Sequence, residues 1–476
     1  MKDTYYFIAI GGIGMSGLAK YLVEDGFRVL GSDIKHNRNT VELEKLGARI
    51  FIGHNENNLP DNAIVVASTA IKEDNPELLK AKRLGLEILH RSDLLAKISK
   101  GLCDKKAEYF IGYSGTHGKT TTSGLSAYVL EKAGLKPSFV VGGIVPEFGI
   151  NSNAGGKCSA QPQEQTDLCD EGGSFFIAEL DESDGTIVNY QPEISVINNL
   201  EIDHVDFYTD GLQSILDTFK VYLHNLPEGA KVLISNDNEG NLKLIEQNKD
   251  INFITFGLND ADYVAKNIFL GIATTFDIYY KGKFLINLKT QMFGKHNVYN
   301  ATAVLASLNE SGVNLDLIKE HFYTFTGMGR RFQLSAEFDG ICVYDDYAHH
   351  PTEIRATLAA AKILNKNIIA VFQPHRYSRL HGLWSEFLNA FDDANQVFIT
   401  DVYAASEAPI EGVTSSKFVE EMLTKTPCEY LQGTIKDVAG QLLPKLNAGD
   451  IVIGLGAGTI TTLGKDLLEI KDGVKV

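Results

Sequence analysis

The sequence predicts an α/β protein of three domains built on largely parallel sheets. Three observations carry that reading. Apolar runs recur along the chain: Tyr6–Ile10, Ala63–Ala67, Tyr109–Tyr113, Phe175–Ala178, Ile194–Ile197, Lys231–Ser235, Asn367–Phe372, Gln396–Thr400 and Asp450–Leu455. A Gly or Ser turn and a helical pattern punctuate the rhythm. Strands this continuously apolar are covered by helices on both faces, as parallel sheets are. The chain has 476 residues, against roughly 150 for a common domain. Two breaks then divide it: the polar stretch Lys100–Lys106, and Phe325–Met328, where a helical segment runs into Gly-Met-Gly-Arg-Arg. The units expected are 1–106, 107–326 and 327–476.

Composition narrows the function. With 44% hydrophobic and 22% charged residues the chain is ordinary for a globular protein, so disorder throughout is excluded. Its 44 basic and 61 acidic residues give a net charge of −17. Such a surface repels phosphate backbones and excludes general nucleic-acid binding, while a local loop can still receive a small anion. No run of about 18 apolar residues occurs, so no membrane insertion is expected. Five cysteines without a Cys-x-x-Cys pair suit neither a disulfide scaffold nor a zinc site. The opening MKDTYYFIAIGGIGMSGLA mimics a secretory signal, but Asp3 adjoins the only early lysine and four glycines break the apolar stretch. A cytoplasmic protein is expected. Asn151–Ser174 shows neither strand nor helix periodicity and reads as a surface loop holding Cys158 and Cys169.

The motifs follow in chain order. Gly11–Gly17, GGIGMSG, contains Gly12-x-Gly14-x-x-Gly17 between a strand and a helix, where a helix N-terminus can meet a diphosphate. Asp33 after the next strand could accept from a ribose hydroxyl. Alone, this pattern fits NAD, FAD or a nucleotide sugar equally. Gly112–Thr122, GYSGTHGKTTT, misses the strict phosphate-loop pattern because Tyr113 replaces a glycine. Its physics is intact: Gly115 and Gly118 free the backbone, Lys119 can neutralise phosphates, and Thr120 can reach Mg²⁺. A surface lysine is the plain alternative.

Glu179–Asp184 (ELDESD) and Asn198–His204 (NNLEIDH) both leave the carboxyl ends of apolar strands, where α/β ligand sites form. The plain alternatives are a solvated acidic turn and a packed imidazole. In Phe293–Asn300 (FGKHNVYN), Asn297 and Asn300 share a helical face and could read an adenine or ribose, or merely cap the helix. Arg330 and Arg331 at the domain junction could meet a γ-phosphate or form a salt bridge. Tyr344–Glu353 (YDDYAHHPTE) packs acids and histidines before Pro351, which suits a helix's first turn; no further spaced ligand completes a zinc site. Phe372–Arg379 (FQPHRYSR) offers His375, Arg376 and Arg379 for a carboxylate, or a surface basic turn. Gly454–Gly458 could shape a cleft mouth.

The order of these motifs is more specific than any one of them. GGIGMSGLA, GTHGKTTT, ELDESD, NNLEIDHVD, GKHNVYN, GMGRRF, DDYAHHPTE and FQPHRYSR together resemble the Mur ligase family over essentially the whole chain. The resemblance implies a Rossmann-like N-terminal domain that binds a UDP-sugar, a central P-loop ATPase domain and a Rossmann-like C-terminal domain that binds an amino acid. It implies ATP-dependent ligation of L-alanine to the lactyl carboxylate of UDP-N-acetylmuramate through an acyl phosphate, with ATP and Mg²⁺, in a monomer or weak homo-oligomer.

The matching positions would be Gly12, Ile13, Gly14, Met15, Ser16, Asp33, Ser68 and Thr69 for the UDP-sugar, with Asn75-Pro76-Glu77 behind. ATP would meet Gly115, Thr116, His117, Gly118, Lys119, Thr120, Thr121, Asn297, Asn300, Arg331 and Asp346. Thr120, Glu179 and His204 would hold the metal, and Lys119, Glu179, His204, Arg331, Asp346 and His349 would carry catalysis. His350, His375, Arg376 and Arg379 would serve the amino acid. Two departures stand out. The Asn151–Ser174 loop is longer than the family's usual one, and Phe219 fills the slot where several relatives carry a carbamylated lysine, leaving Lys220 without that role. The competing readings are a ligase joining a recycled tripeptide to the same sugar, a non-catalytic UDP-sugar-binding regulator, and an NAD-dependent oxidoreductase, which would leave GTHGKTTT idle.

Overall fold

A computed structural model describes residues 3–102, 109–155, 175–204, 207–271, 273–405 and 407–473. Three sheets are present among them. The first is all parallel, in the order Arg49–Ile52, Arg28–Asp33, Thr4–Ile8, Ile64–Ala67, Ile88–His90. The glycine loop follows its central strand, and Gly12 caps the helix Ile13–Glu24. Behind that strand's outer neighbours lies a buried polar knot. The enclosed Glu77 carboxylate accepts from the Tyr6 hydroxyl at 2.7 Å and Ser32 Oγ at 2.6 Å, lies 3.0 Å from His54 Nδ1, and accepts from the Asn55 N–H at 3.2 Å. One side chain thereby fixes the loops around the strand ends.

The central sheet has ten strands. Its parallel heart runs Phe253–Gly257, Lys231–Ser235, Ile194–Ile197, Tyr109–Ser114, Phe175–Glu179, Ser138–Val145. The helix Lys119–Lys132 buries every residue from Thr121 to Leu130, so it lacks an amphipathic stripe. Gly124 leaves room there for the Met328 side chain, whose Sδ would lie 2.2 Å from an added Cβ.

Two features depart from the sequence reading. The segment expected to be a loop from Asn151 begins inside a strand, Ile150–Asn153, antiparallel to Ser138–Val145. Tertiary contact overrides its polar composition: Asn151 is fully buried and donates to the Ile13 carbonyl at 3.0 Å. Residues 156–174, with Cys158 and Cys169, and the boundary at 106/107 lie outside the described residues. The strands Tyr263–Phe269, Thr274–Tyr280 and Lys283–Thr290 extend the sheet as an antiparallel meander. The third domain's sheet is ordered Gln333–Phe338, Ile341–Asp346, Asp450–Leu455, Asn367–Phe372, Gln396–Ile399, Cys428–Tyr430, with only the first strand antiparallel.

The two domain junctions differ in chemistry. One apolar cluster joins the first two domains, with Tyr5, Phe7, Leu18 and Leu22 alongside Phe110, Val140, Phe176 and Ile215. The third domain has its own apolar layers on either face of its sheet and meets the central domain largely through charges and hydrogen bonds.

Glu77→Ala removes an acceptor from several buried donors. A loss of roughly 3 kcal/mol is expected, seen by calorimetry as an earlier unfolding transition of the first domain. An unchanged thermogram would show that the knot is not structural.

Candidate active site

Three neighbouring parallel strands deliver three loops to one place. Tyr109–Ser114 lies between Ile194–Ile197 and Phe175–Glu179, with Tyr113 opposite Glu179 and Ser114 opposite Ile197. Their carboxyl ends therefore release the glycine-rich turn, Asn198–His204 and Glu179–Asp184 side by side.

Asn198 and Asn199, which motif reading did not single out individually, hold the glycine-rich turn. Asn199 accepts the Thr116 N–H on its carbonyl (2.8 Å) and the His117 N–H on Oδ1 (2.8 Å), and both asparagine amides donate to the His117 carbonyl. A Cβ on Gly115 would lie 2.7 Å from the Asn199 carbonyl, and Gly115 has φ +113°. Gly118, at φ +85°, caps the following helix.

Lys119 Nζ donates to the carbonyl of Gly115 (2.7 Å) and is ion-paired with Glu182 (2.8 Å). Burial opposes its charge, but Glu182, Asp181 and Glu179 outweigh that and hold its pKa above the ordinary value. Glu182 itself is pushed up by burial, which Lys119 partly offsets, and its Oε2 is buried without a hydrogen-bond partner. Glu179 Oε2 accepts the Gly142 N–H at 2.9 Å. Thr120 stands next door, since a Cβ on Gly143 would meet its Cγ2 at 3.0 Å. Burial lowers the pKa of His204, favouring the neutral imidazole that a metal needs. Oxygen donors of the kind Thr120 and Glu179 carry are those a hard divalent cation takes, and the group of acids and histidines found close enough together to share an ion among the described residues is His117, Glu201 and His350.

Beside this turn, between the central and third domains, lies a cavity of about 330 Å³. His117, Gly118, Thr121, Asn297, Asn300 and Arg331 face it, with Phe256, Phe293 and Phe332 as flat apolar walls. Asn300 Nδ2 donates to Asn297 Oδ1 at 3.0 Å, so the pair is one unit on the helix Lys295–Glu310. The shape suits a purine nucleotide with its phosphates toward Lys119.

The third domain closes the cavity. His350 caps the helix Pro351–Ala361, whose first residue is the expected proline. Glu353, unremarked within DDYAHHPTE, is the hub: it pairs with Arg331 (3.3 Å) and His117 (3.4 Å) and accepts the His349 N–H (3.1 Å). Glu201 joins from the central domain, accepting from Thr352 Oγ1 at 2.8 Å and lying 3.7 Å from His117. Burial opposes the His117 charge, yet these two carboxylates raise its pKa to about 9. Burial drives His349 down to about 3 and His350 and His375 to about 4. Asp346, pushed up to about 6 by burial with Arg331 opposing, accepts the N–H groups of Phe332 and Ala348, both at 2.8 Å. Arg330 is structural: it pairs with Asp345 at 3.1 Å and donates to the Gly456 carbonyl.

The residues expected for the amino acid separate. His350 sits with His117 on the nucleotide side, their ring centroids 4.7 Å apart. Arg379 is buried and donates through Nε and Nη2 to Asp203 Oδ1, at 3.2 and 2.9 Å, so its charge is already matched. Arg376, His204, Asp203 and Ser378 line a smaller pocket beside it, and His375 stacks on Tyr403. His204, Arg330, Phe332 and Arg376 all adopt left-handed backbone, φ +50° to +69°.

In the first domain, Asp33 is turned inward, Oδ2 accepting the Gly11 N–H at 2.8 Å, which fixes the glycine loop and takes up that oxygen. Thr69 Oγ1 reaches Asp184 at 3.5 Å, which brings the Ser68–Thr69 loop to the acidic turn. Phe219 is core and Lys220 is exposed on the helix Leu212–His224.

Comparison with known proteins covers the same three units. Residues 4–102 match the Mur ligase family catalytic domain, 114–308 the Mur ligase middle domain and 330–458 the Mur ligase glutamate ligase domain. The UDP-N-acetylmuramate–L-alanine ligase of Geobacter sulfurreducens is 40% identical over 472 residues, covering 98% of this chain and 97% of its own. That of Carboxydothermus hydrogenoformans is 42% identical over 474 residues, covering 97% and 96%. The crystal structure of UDP-N-acetylmuramate–alanine ligase from Thermotoga maritima superposes with a TM-score of 0.80 at 27% identity, over 99% of this chain and 100% of that one. A murein peptide ligase from Psychrobacter arcticus shares the fold, with a TM-score of 0.69 at 22% identity and all of each chain covered.

The clasp around His117 sets a pH dependence. Its pKa is raised, so its stabilising charge is fully present below about 6.5 and lost as pH rises through about 9. Small-angle scattering of the nucleotide-free protein is expected to show expansion across that window, absent in His117→Gln. A constant radius in the unaltered chain would refute the clasp.

Proposed function

The chain belongs to the Mur ligase family, and from that premise we propose that it uses ATP to join L-alanine to the lactyl carboxylate of UDP-N-acetylmuramate in peptidoglycan synthesis. The near-full-length relatives that carry this activity in their names support the substrate pair. The observation that carries the chemistry is the release of Lys119 and the Glu179–Asp184 turn side by side at the ends of adjacent parallel strands, next to a cavity that Arg331 and Glu353 of the third domain also line. A tripeptide-joining ligase and a non-catalytic regulator are not favoured. No helix among the described residues is long and apolar enough to cross a membrane, and a cytoplasmic setting suits the use of ATP.

A carboxylate is a poor electrophile because its leaving group would be oxide. One of its oxygens attacks the γ-phosphorus, ADP departs, and an acyl phosphate forms. The alanine amine then adds to the carbonyl carbon, and the tetrahedral intermediate expels phosphate and loses the amine proton to leave the amide. Lys119 carries the positive charge that draws the transferring phosphoryl, and Arg331, held by Glu353, supplies a second cation from the third domain. Thr120, Glu179 and His204 would hold Mg²⁺, which when bound neutralises phosphate charge. Asn297 and Asn300 orient the nucleoside from the central domain.

The alanine carboxylate is assigned to Arg376, which lines the small pocket beside His204 and lies 3.8 Å from Glu407, while Arg379, buried against Asp203, acts as a prop for that pocket. His349 and His375 present neutral rings. With pKa values near 3 and 4 they are weak bases, so they orient the amine and do not strip its proton outright. Closing the polar junction excludes water from the acyl phosphate.

The deciding assay is ADP release with Mg²⁺, ATP and UDP-N-acetylmuramate, adding L-alanine or the L-Ala-D-Glu-diaminopimelate tripeptide. Alanine-dependent turnover is expected; stimulation by the tripeptide instead would move the protein to the recycling activity. Lys119→Ala should lower ADP release at least about a hundredfold while nucleotide-sugar binding persists. Equal loss of both would count against separate sites.

A further inference from the structure

A cation that no motif announced stands between the glycine loop and the acidic turn. Arg91 opens the helix Arg91–Ser99, directly after the strand Ile88–His90, at the carboxyl edge where α/β sheets bind ligands. Its Nη2 is ion-paired with Asp181 and lies 4.0 Å from Asp184. Its Nη1 borders the glycine loop closely enough that a Cβ on Gly14 would sit 3.3 Å away. His90 Nε2, 3.6 Å from Asp184, and Thr69 Oγ1 complete the surround. The side chain keeps 27% exposure. Burial opposes its charge, but Asp181 and its neighbours hold the pKa above the ordinary arginine value.

The glycine loop needs such a cation. A helix N-terminus supplies only about half a positive charge, whereas a diphosphate brings two negative ones. The loop's own donors are partly used: the Gly11 N–H goes to Asp33 and the Gly12 N–H to the Ala9 carbonyl. Asp33, Asp181 and Asp184 make the vicinity acidic. A guanidinium, with parallel N–H groups matched to phosphate oxygens, is the side chain suited to that task.

We infer that Arg91 binds the diphosphate of a nucleoside diphosphate seated on the Gly12–Ser16 loop, and that Asp181 is the anion it exchanges for it. The inference rests on the proposed function for the uridine and the sugar; the diphosphate is argued from the loop and Arg91.

The test is equilibrium binding of UDP and of uridine to the full chain, without ATP or alanine, for the unaltered protein, Arg91→Ala, Arg91→Lys and Asp181→Asn. Binding of ADP in the nucleotide cavity serves as the folding control. The unaltered chain should prefer UDP. Arg91→Ala should weaken UDP by at least roughly tenfold and leave uridine unchanged, Arg91→Lys should restore part of the loss, and Asp181→Asn should hold or tighten UDP. An unchanged UDP-to-uridine ratio in Arg91→Ala would overturn the inference. Equal weakening by Asp181→Asn and Arg91→Ala would also overturn it, marking the pair as an interdomain strut, as would no UDP binding by the unaltered chain. Because no turnover is read, a failed ligase assay and a failed Arg91 role are separable results.

Discussion

The structure is organised around one short acidic turn at the end of a buried strand. Glu179 fixes the Gly142 backbone, Asp181 pairs with Arg91 of the first domain, Glu182 holds Lys119, and Asp184 reaches Thr69. Four carboxyl groups so close together in sequence would repel one another if left alone. Each is engaged by a group from a different element, Glu182 through one oxygen only, so the turn depends on those elements being assembled around it. The strand Phe175–Glu179 makes this possible because it is inserted next to the strand that ends in the glycine-rich turn.

The two domain junctions then divide labour by chemistry. An apolar core shared by the first and central domains has no favourable exposed state, since opening it would wet large hydrophobic surfaces. The third domain meets the central one through Asp203 with Arg379, Glu201 with Thr352, and His117 with Glu353. Water can replace those partners, so separation costs less there, as at polar interdomain contacts generally. The nucleotide cavity lies at the junction able to open, and the glycine loop is braced by the rigid one through Asn151.

Much of this was legible in the sequence, for physical reasons. The buried parallel strands betray themselves as uninterrupted apolar runs, and loops at strand ends must carry the chemistry, so the glycine-rich turn, ELDESD and DDYAHHPTE could be placed before any fold was known. What escaped depends on pairing across distance. The helix Lys119–Lys132 is buried all round and has no stripe to read. The meander Thr274–Thr290 was signalled only by Lys281-Gly282, both left-handed at φ +47° and +78°, which is the turn a two-residue hairpin wants. Arg379 looked like a free cation because nothing local reveals Asp203 as its partner. Glu353, Asn198 and Asn199 sat inside recognised motifs without distinct roles, and Arg91 lay outside every motif.

The left-handed backbone at His204, Arg330, Phe332 and Arg376 has a consequence for how the protein can vary. Side chains in that region cost about 1 kcal/mol or more each, and glycine would adopt the same conformation without the penalty. At these four positions the replacement that best relieves the backbone also deletes a ring or guanidinium from the cleft or its hinge. At Arg330 and Phe332 the backbone cost is offset by contacts that glycine would forfeit, the ion pair with Asp345 and the stack on Tyr344. At His204 and Arg376, on the rim of the small pocket, relief of the backbone and retention of the pocket's ring and guanidinium pull in opposite directions.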